Sequence, residues 1–305
     1  MSFTINDAFV QQFTGNVRFL AQQNNSRFRP TIIEDVMQGE AMYMEQVAPT
    51  AARKKQARHG DSPIMNTQHL RRRVTPYDYE WGDMIDQMDK VRLLIDPAST
   101  YAMNAGMALN RGIDDEIIGA FFATAYTGHA GGTAITWPNG NSESVPTQPA
   151  GVQIAVNDWT YGNGSGNAGL TISKLISAKM ALLAGEGDEN EDSFIAVSSI
   201  QLGNLLATTE ATSTDYNTVA ALVEGKISKF MGFNFIHSER LVKNGSSQWR
   251  VPAWRRSAMG LGVAKDIETR VAERADKSFS YYAYAMMSVG ATRLEEVKLA
   301  EIICA

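Results

Sequence analysis

Residues Asp96 to Gly128, DPASTYAMNAGMALNRGIDDEIIGAFFATAYTG, read as a single long helix with marked ends. Asp96 is of the type that caps a helix N-terminus, and Pro97 falls at the first helical position, where its missing N–H costs nothing. Gly128 is a natural stop beyond the last turn. Ala102, Ala105, Gly106 and Ala108 keep the first half slim, whereas Ile113, Ile117, Ile118, Phe121 and Phe122 fill the second. At 1.5 Å per residue the rod is roughly 45 Å long, about the width of a small domain. A basic, extended stretch precedes it and a glycine-rich stretch follows. That setting suits the spine of a building block better than the wall of an enzyme pocket.

The basic stretch spans residues 41 to 82. Arg53, Lys54, Lys55 and Arg58 lie on one side of a turn signal, His59-Gly60-Asp61-Ser62-Pro63, and Arg71, Arg72 and Arg73 lie on the other. The second side continues into Val74–Trp81, where apolar and acidic residues alternate as in a half-buried strand. Two limbs about a Gly/Pro turn predict a long hairpin whose charged tip has little to build a core from. Such a hairpin projects and needs a partner surface. Residues 1 to 40 are rich in Gln and Asn, with Phe3, Phe9, Phe13 and Phe19 scattered among them. They read as a mobile arm with a few anchors, a disordered tail being the alternative.

Beyond the long helix, residues 129 to 170 form loops around a short strand at Val152–Val156. A second helix runs from Thr171, a candidate N-cap, to Gly185. Next come an acidic loop, a strand at Phe194–Val197, a helix from Ser199 to Leu206, a short helix at Asn217–Glu224, and strands at Phe230–Ile236 and Trp249–Trp254. This alternation predicts a mixed α/β domain. From residue 263 the chain reads as strand-rich again, and there is no internal repeat.

The candidate chemistry is thin. Gly164-Ser165-Gly166-Asn167-Ala168-Gly169 matches GxGxxG before a helix, but the acidic residues precede the next strand instead of ending it, so a flexible loop is favoured over a dinucleotide site. The EGDENED loop lacks EF-hand spacing. His59, His69, His129 and His237 form no ligand pair, and Cys304 stands alone, so no metal, cofactor or catalytic residues are expected. Asp114-Asp115-Glu116 point in different directions around a helix and are expected to be exposed or to pair with a neighbouring chain. Trp249, Arg250, Trp254, Arg255 and Arg256 interleave aromatics with arginines, which suits single-stranded nucleic acid or a protein interface. The chain has 305 residues and a formal net charge of −5, which favours the interface. The lone cysteine, the lack of a signal-like start and the lack of an apolar run near 20 residues lead to an expectation of a cytoplasmic product with no membrane partner.

Together, RHGDSP, RRRVTPYDYEW and the stretch DMIDQMDKVRLLIDPASTYAMNAGMALNRGIDDEIIGAFFATAYTG resemble the major capsid proteins of tailed bacteriophages, and SFIAVSSIQLGNLLATTEATSTDYNTVAALVEGKISKFMGFNFIHSERL is similar to their following domain. The resemblance implies an α+β, HK97-like capsid fold. Its parts would be an N-terminal arm (1–40), an extended β-hairpin loop (41–82), a peripheral domain (83–192) with a spine helix over 97–127, an α/β axial domain (193–262), and a return to the peripheral domain (263–305). It implies self-assembly through homo-pentamers and homo-hexamers into an icosahedral head enclosing double-stranded DNA, without catalysis. The product would be a virion capsid assembled in the host cytoplasm, with scaffold, portal and decoration proteins as candidate partners. No covalent crosslink is expected from Lys54 or Lys55. An encapsulin-like compartment and a nucleic-acid-binding module using the basic hairpin are the alternatives.

Overall fold

The computed structural model describes residues 22–48, 50–55, 58, 62, 64–86, 97–139, 151–162, 164–185, 190–207 and 229–305. Residues 1–21 of the arm, the Asp96 cap, most of the His59–Pro63 turn, residues 186–189 of the acidic loop and the helix expected at Asn217–Glu224 lie outside this set. The strands are β1 (Ile33–Val36), β2 (Met42–Val47), β3 (His69–Val74), β4 (Tyr77–Ile85), β5 (Ala125–Thr127), β6 (Thr133–Ile135), β7 (Val152–Ile154), β8 (Ser193–Val197), β9 (Lys229–Phe230), β10 (Phe233–His237), β11 (Trp249–Arg255), β12 (Met259–Arg274), β13 (Ser280–Arg293) and β14 (Leu299–Cys304). The helices are α1 (Pro97–Phe122), α2 (Ile172–Ala184) and α3 (Ser199–Ala207).

The chain divides into two compact units. The described residues of the first are 22–26, 78–86, 97–112 and 265–288. Here β12, β13 and β4 lie side by side in that order. Side chains alternate across β13: Ala283, Ala285 and Met287 are buried, while Tyr282, Tyr284, Met286 and Ser288 are half-buried, the period-two signature of a sheet with one covered face. Polar contacts tie residues 22–24 to the middle of α1. Arg111 Nη1 donates to Gln22 Oε1 at 2.8 Å, and Asn110 Nδ2 donates to the Asn24 carbonyl at 3.3 Å.

The second unit comprises 27–77, 113–264 and 289–305. Its largest sheet has the order β7-β14-β11-β8-β10-β9. β8 and β10 run parallel, which requires a crossover, and α3 lies in that connection. β11 is antiparallel to both β14 and β8. Pro252, with no N–H to give, falls just outside the ladder with β8, which begins at Ala253. α2 buries Leu175, Ala178 and Leu182, spaced three and four residues apart, against this unit. Thr171 caps it as expected, its Oγ1 accepting from the Lys174 N–H at 3.4 Å. A second sheet has the order β2-β3-β5-β6, with Met44, Val74 and Leu294 forming a core beneath it. In the same unit β1 pairs in parallel with the first residues of β12.

Several elements depart from the sequence reading. The long helix ends at Phe122, not at residue 127, because Ala125–Thr127 is drawn into β5 against β3. The Arg293 guanidinium closes that helix end by donating to the carbonyls of Phe121 at 3.2 Å, Ala123, and Ile135 at 3.1 Å. A cation there meets the negative end of the helix dipole. The strand expected over Phe230–Ile236 is two strands, β9 and β10, separated by Met231 (φ 50°) and Gly232 (φ 81°). Two consecutive residues with positive φ make the tight turn that suits the twist of a hairpin.

Three residues expected at subunit contacts are interior. Arg72 is fully buried, as is Trp254, and Arg255 is nearly so. For Arg72 the reason is strand alternation, which turns one arginine of three inward. For Trp254 and Arg255 it is their place in β11, a central strand covered on both faces. Asp114 is also fully buried and accepts the backbone N–H groups of Arg27 and Phe28, while Asp115 pairs with Arg240. Both acids are therefore used within the subunit.

Candidate assembly interface

The β2–β3 hairpin has register Tyr43↔Arg73, Met44↔Arg72 and Glu45↔Arg71. Its base is locked from inside. Arg72 Nη2 donates to Glu296 Oε2 at 2.6 Å, and Arg72 Nε donates to the Leu294 carbonyl at 3.2 Å. Arg293 Nε lies 3.5 Å from Glu296 Oε1, so one carboxylate sits between two guanidiniums in a fully buried cluster. Burial pushes both arginines below their usual range, and the Glu296 charge pulls them back up. Arg71 and Arg73 are half-buried on the opposite face. Arg71 lies 5.4 Å from the centroid of the Tyr43 ring and 3.4 Å from Glu45.

From this base the chain continues into the connection between β2 and β3. Arg53, Lys54, Lys55 and Arg58 are all exposed on it. So are Met65 and above all Ile64, which is 95 % exposed, and Val47 at the end of β2 is exposed as well. The sequence reading singled out the charges and passed over these apolar residues. An isoleucine among Pro, Asn and Thr in a turn-rich stretch was the available signal. A surface joining cations to bare apolar side chains has the composition of an uncovered protein contact.

The Trp/Arg segment has a different role. Trp254 stacks on Phe28 and Phe194 and tilts against Phe121, with ring centroids 4.7–5.9 Å away. The Arg250 guanidinium lies 4.0 Å from the centroid of the Phe122 ring and is paired with buried Glu301. Lys243 Nζ sits 4.4 Å from the Trp249 ring centroid. The rings are thus covered by the chain's own groups and offer no stacking platform for bases. Of these five residues Arg256 alone is exposed.

The glycine motif is likewise occupied. Trp159 Nε1 donates to the Gly166 carbonyl at 2.9 Å. Lys174, fully buried, donates to the carbonyls of Ala168, Gly169 and Ile303 at 2.7–3.0 Å. A phosphate cradle needs N–H groups turned inward, whereas here carbonyls converge on an ammonium. Among the described residues no group of three His, Cys, Asp or Glu is placed to hold a metal ion, and no helix is long and apolar enough to cross a membrane.

The spine helix with its arm segment, the hairpin at its foot and the mixed sheet with parallel and antiparallel strands define the HK97-like class of shell subunit. The profile of the family described as "Phage capsid protein" matches residues 5–305, and the chain belongs to that family. It is a major capsid protein, a component of the icosahedral head, located in the capsid of the virion. The capsid structure of cyanophage P-SCSP1u is similar over 100 % of this chain and 95 % of that chain, with a TM-score of 0.75 and 16 % identity. The head structure of Helicobacter pylori bacteriophage KHP40 is similar over 100 % and 98 %, with a TM-score of 0.71 and 8 % identity. The capsid of Ralstonia phage GP4 is similar over 100 % and 97 %, with a TM-score of 0.68 and 12 % identity. No curated protein matches the sequence.

Proposed function

We propose that copies of this chain assemble through homo-pentamers and homo-hexamers into the head of a tailed phage, enclosing double-stranded DNA without reading its sequence and without catalysing a reaction. The observation that carries this reading is the exposed connection between β2 and β3. It bears Arg53, Lys54, Lys55, Arg58 and bare Ile64 on a base fixed by buried ions. Residues 1–40 serve as arm, 41–82 as hairpin loop, 83–192 and 263–305 as peripheral domain, and 193–262 as axial domain. Scaffold, portal and decoration proteins are the further partners.

The energetics favour many shared contacts over any single strong one. An exposed ion pair contributes about 0–1 kcal/mol. Covering a side chain such as Ile64 contributes about 1.5–3 kcal/mol. Small terms of this kind become decisive when each subunit makes them repeatedly in a closed lattice. Replacing Arg53, Lys54, Lys55 and Arg58 by Ser together with Ile64→Ser should leave a folded subunit that builds no shells. Negative-stain microscopy and sedimentation of mutant against wild type test this, and wild-type particles from the mutant would refute it.

A further inference from the structure

Arg27 opens the second unit, and two separate sets of contacts hold it. Its backbone N–H donates to both carboxylate oxygens of buried Asp114 at 3.1 Å, and the Phe28 N–H donates to Asp114 Oδ1 at 3.3 Å. Its guanidinium instead reaches His237, the last residue of β10. Arg27 Nη1 donates to the His237 carbonyl and lies 3.4 Å from His237 Nδ1. The other ring nitrogen, Nε2, lies 2.9 Å from Glu239 Oε1. That same carboxylate oxygen accepts the Ser199 N–H at the start of α3 at 2.7 Å. The ring is gripped between a cation at the root of the arm and an anion at the end of a helix.

The two partners fix the form of the ring. A guanidinium only donates, so it requires a bare Nδ1, and a carboxylate only accepts, so it requires the hydrogen on Nε2. Together they specify the neutral imidazole. A second proton has one place to go, Nδ1. There it removes the acceptor that Arg27 uses and sets an imidazolium against the guanidinium. It also turns the Glu239 contact into a charge-assisted pair, so the ring stays with Glu239 and the guanidinium is the group that leaves. The neighbouring carboxylates are already engaged: Asp115 is closed on Arg240, and Asp114 on the Arg27 and Phe28 N–H groups. Glu239 is held below the ordinary 4.5, by the Ser199 N–H first, and stays ionised where histidines titrate. The His237 side chain is 49 % exposed, so protons reach it from solvent.

We propose that His237 is a proton-operated latch on the root of the N-terminal arm: neutral His237 holds the Arg27 side chain against the end of β10, and protonated His237 releases it. The backbone clamp on Asp114 remains in both states, so acid loosens the root without unfolding it. The tie from Glu239 to α3 also remains, so the change is confined to one side of the ring. The latch lies within one subunit and does not depend on the shell reading. Within that reading it gives the arm a held and a freed setting, selected by pH.

The test is amide hydrogen exchange on full-length dissociated subunits at about pH 7.5 and about pH 5.5, which bracket histidine titration, with each rate corrected for intrinsic exchange. On acidification the wild type should lose about fivefold protection at Arg27 and Phe28, the equivalent of one net hydrogen bond, while the start of α3 keeps its own. His237→Gln is neutral at both pH values and should show no pH response. His237→Lys is cationic at both and should show the acid level of protection throughout, as should Arg27→Gln, which has no guanidinium to release. Equal protection of Arg27 and Phe28 at the two pH values in the wild type would overturn the latch. So would a pH response that survives in His237→Gln or Arg27→Gln, or a parallel loss at the start of α3. None of these outcomes bears on whether the chain builds shells, which microscopy of the wild type decides separately.

Discussion

Glu296→Gln removes a charge with almost no change of shape, and the structure sets its cost. Glu296 Oε2 is 2.6 Å from Arg72 Nη2 and its Oε1 is 3.5 Å from Arg293 Nε, with all three side chains fully buried. The three side chains are shielded from bulk solvent, so deleting the carboxylate strands two interior guanidiniums. Removing one partner of a buried pair costs about 3–5 kcal/mol. The arginines keep some acceptors: Leu294 for Arg72, and Phe121, Ala123 and Ile135 for Arg293. Those bonds place the expected loss toward the lower end, about 3–4 kcal/mol. The matched control is Glu45→Gln. The Glu45 side chain is 69 % exposed and lies 3.4 Å from Arg71, so its loss should be about 0–1 kcal/mol. Urea unfolding of dissociated subunits, followed by tryptophan fluorescence, separates the two. With an m-value of about 3 kcal/mol/M, the midpoint for Glu296→Gln should fall by roughly 1 M at unchanged slope. A Glu296→Gln subunit as stable as Glu45→Gln would refute the view that this carboxylate locks the hairpin base.

Two further outcomes follow from titrating groups. Burial raises the Cys304 thiol to about 11. At pH 7 to 8 the native subunit should therefore react with a thiol reagent about a hundredfold more slowly than the urea-unfolded chain, from the thiolate fraction alone; equal rates would contradict it. Glu239 accepts the backbone N–H of Ser199 at the start of α3, and that bond above all holds its carboxyl below the ordinary 4.5. A depressed carboxylate stabilises the fold above pH 4.5, and the contribution disappears as pH falls through the lower folded value. Glu239→Gln should thus cost about 0.5–1 kcal/mol at pH 7 and less at pH 3, as read from urea midpoints at the two pH values. A penalty that is the same at both would point to a steric cause.

Local periodicity made much of the architecture legible. The spine helix, the cap at Thr171, β8, α3 and β11 were all visible as spacing and capping chemistry within a few residues of their observed bounds. The hairpin was visible only in part: β2 and β3 pair, but the alternating stretch expected to continue its second limb breaks after Val74 and resumes as β4 beside β13. What spacing did not reveal was which arginines of 71–73 face outward. That depends on a carboxylate at Glu296, more than two hundred residues away, and on pairing of β3 with both β2 and β5. The Trp/Arg run misled for a similar reason. In composition it is a surface-binding segment, but β14 and β8 flank it, and Phe28, Phe121 and Phe194 pack on Trp254.

The amino-acid order alone determined the spine helix, the Thr171 cap, the elements β8, α3 and β11, and which family the chain resembles, because these depend on contacts between near neighbours. Only the tertiary structure decided which charges are interior locks and which stay exposed. A guanidinium is stable in the core only where distant residues bring carboxylate and carbonyl oxygens to it, as Glu296 and Leu294 do for Arg72, and no local pattern records that convergence.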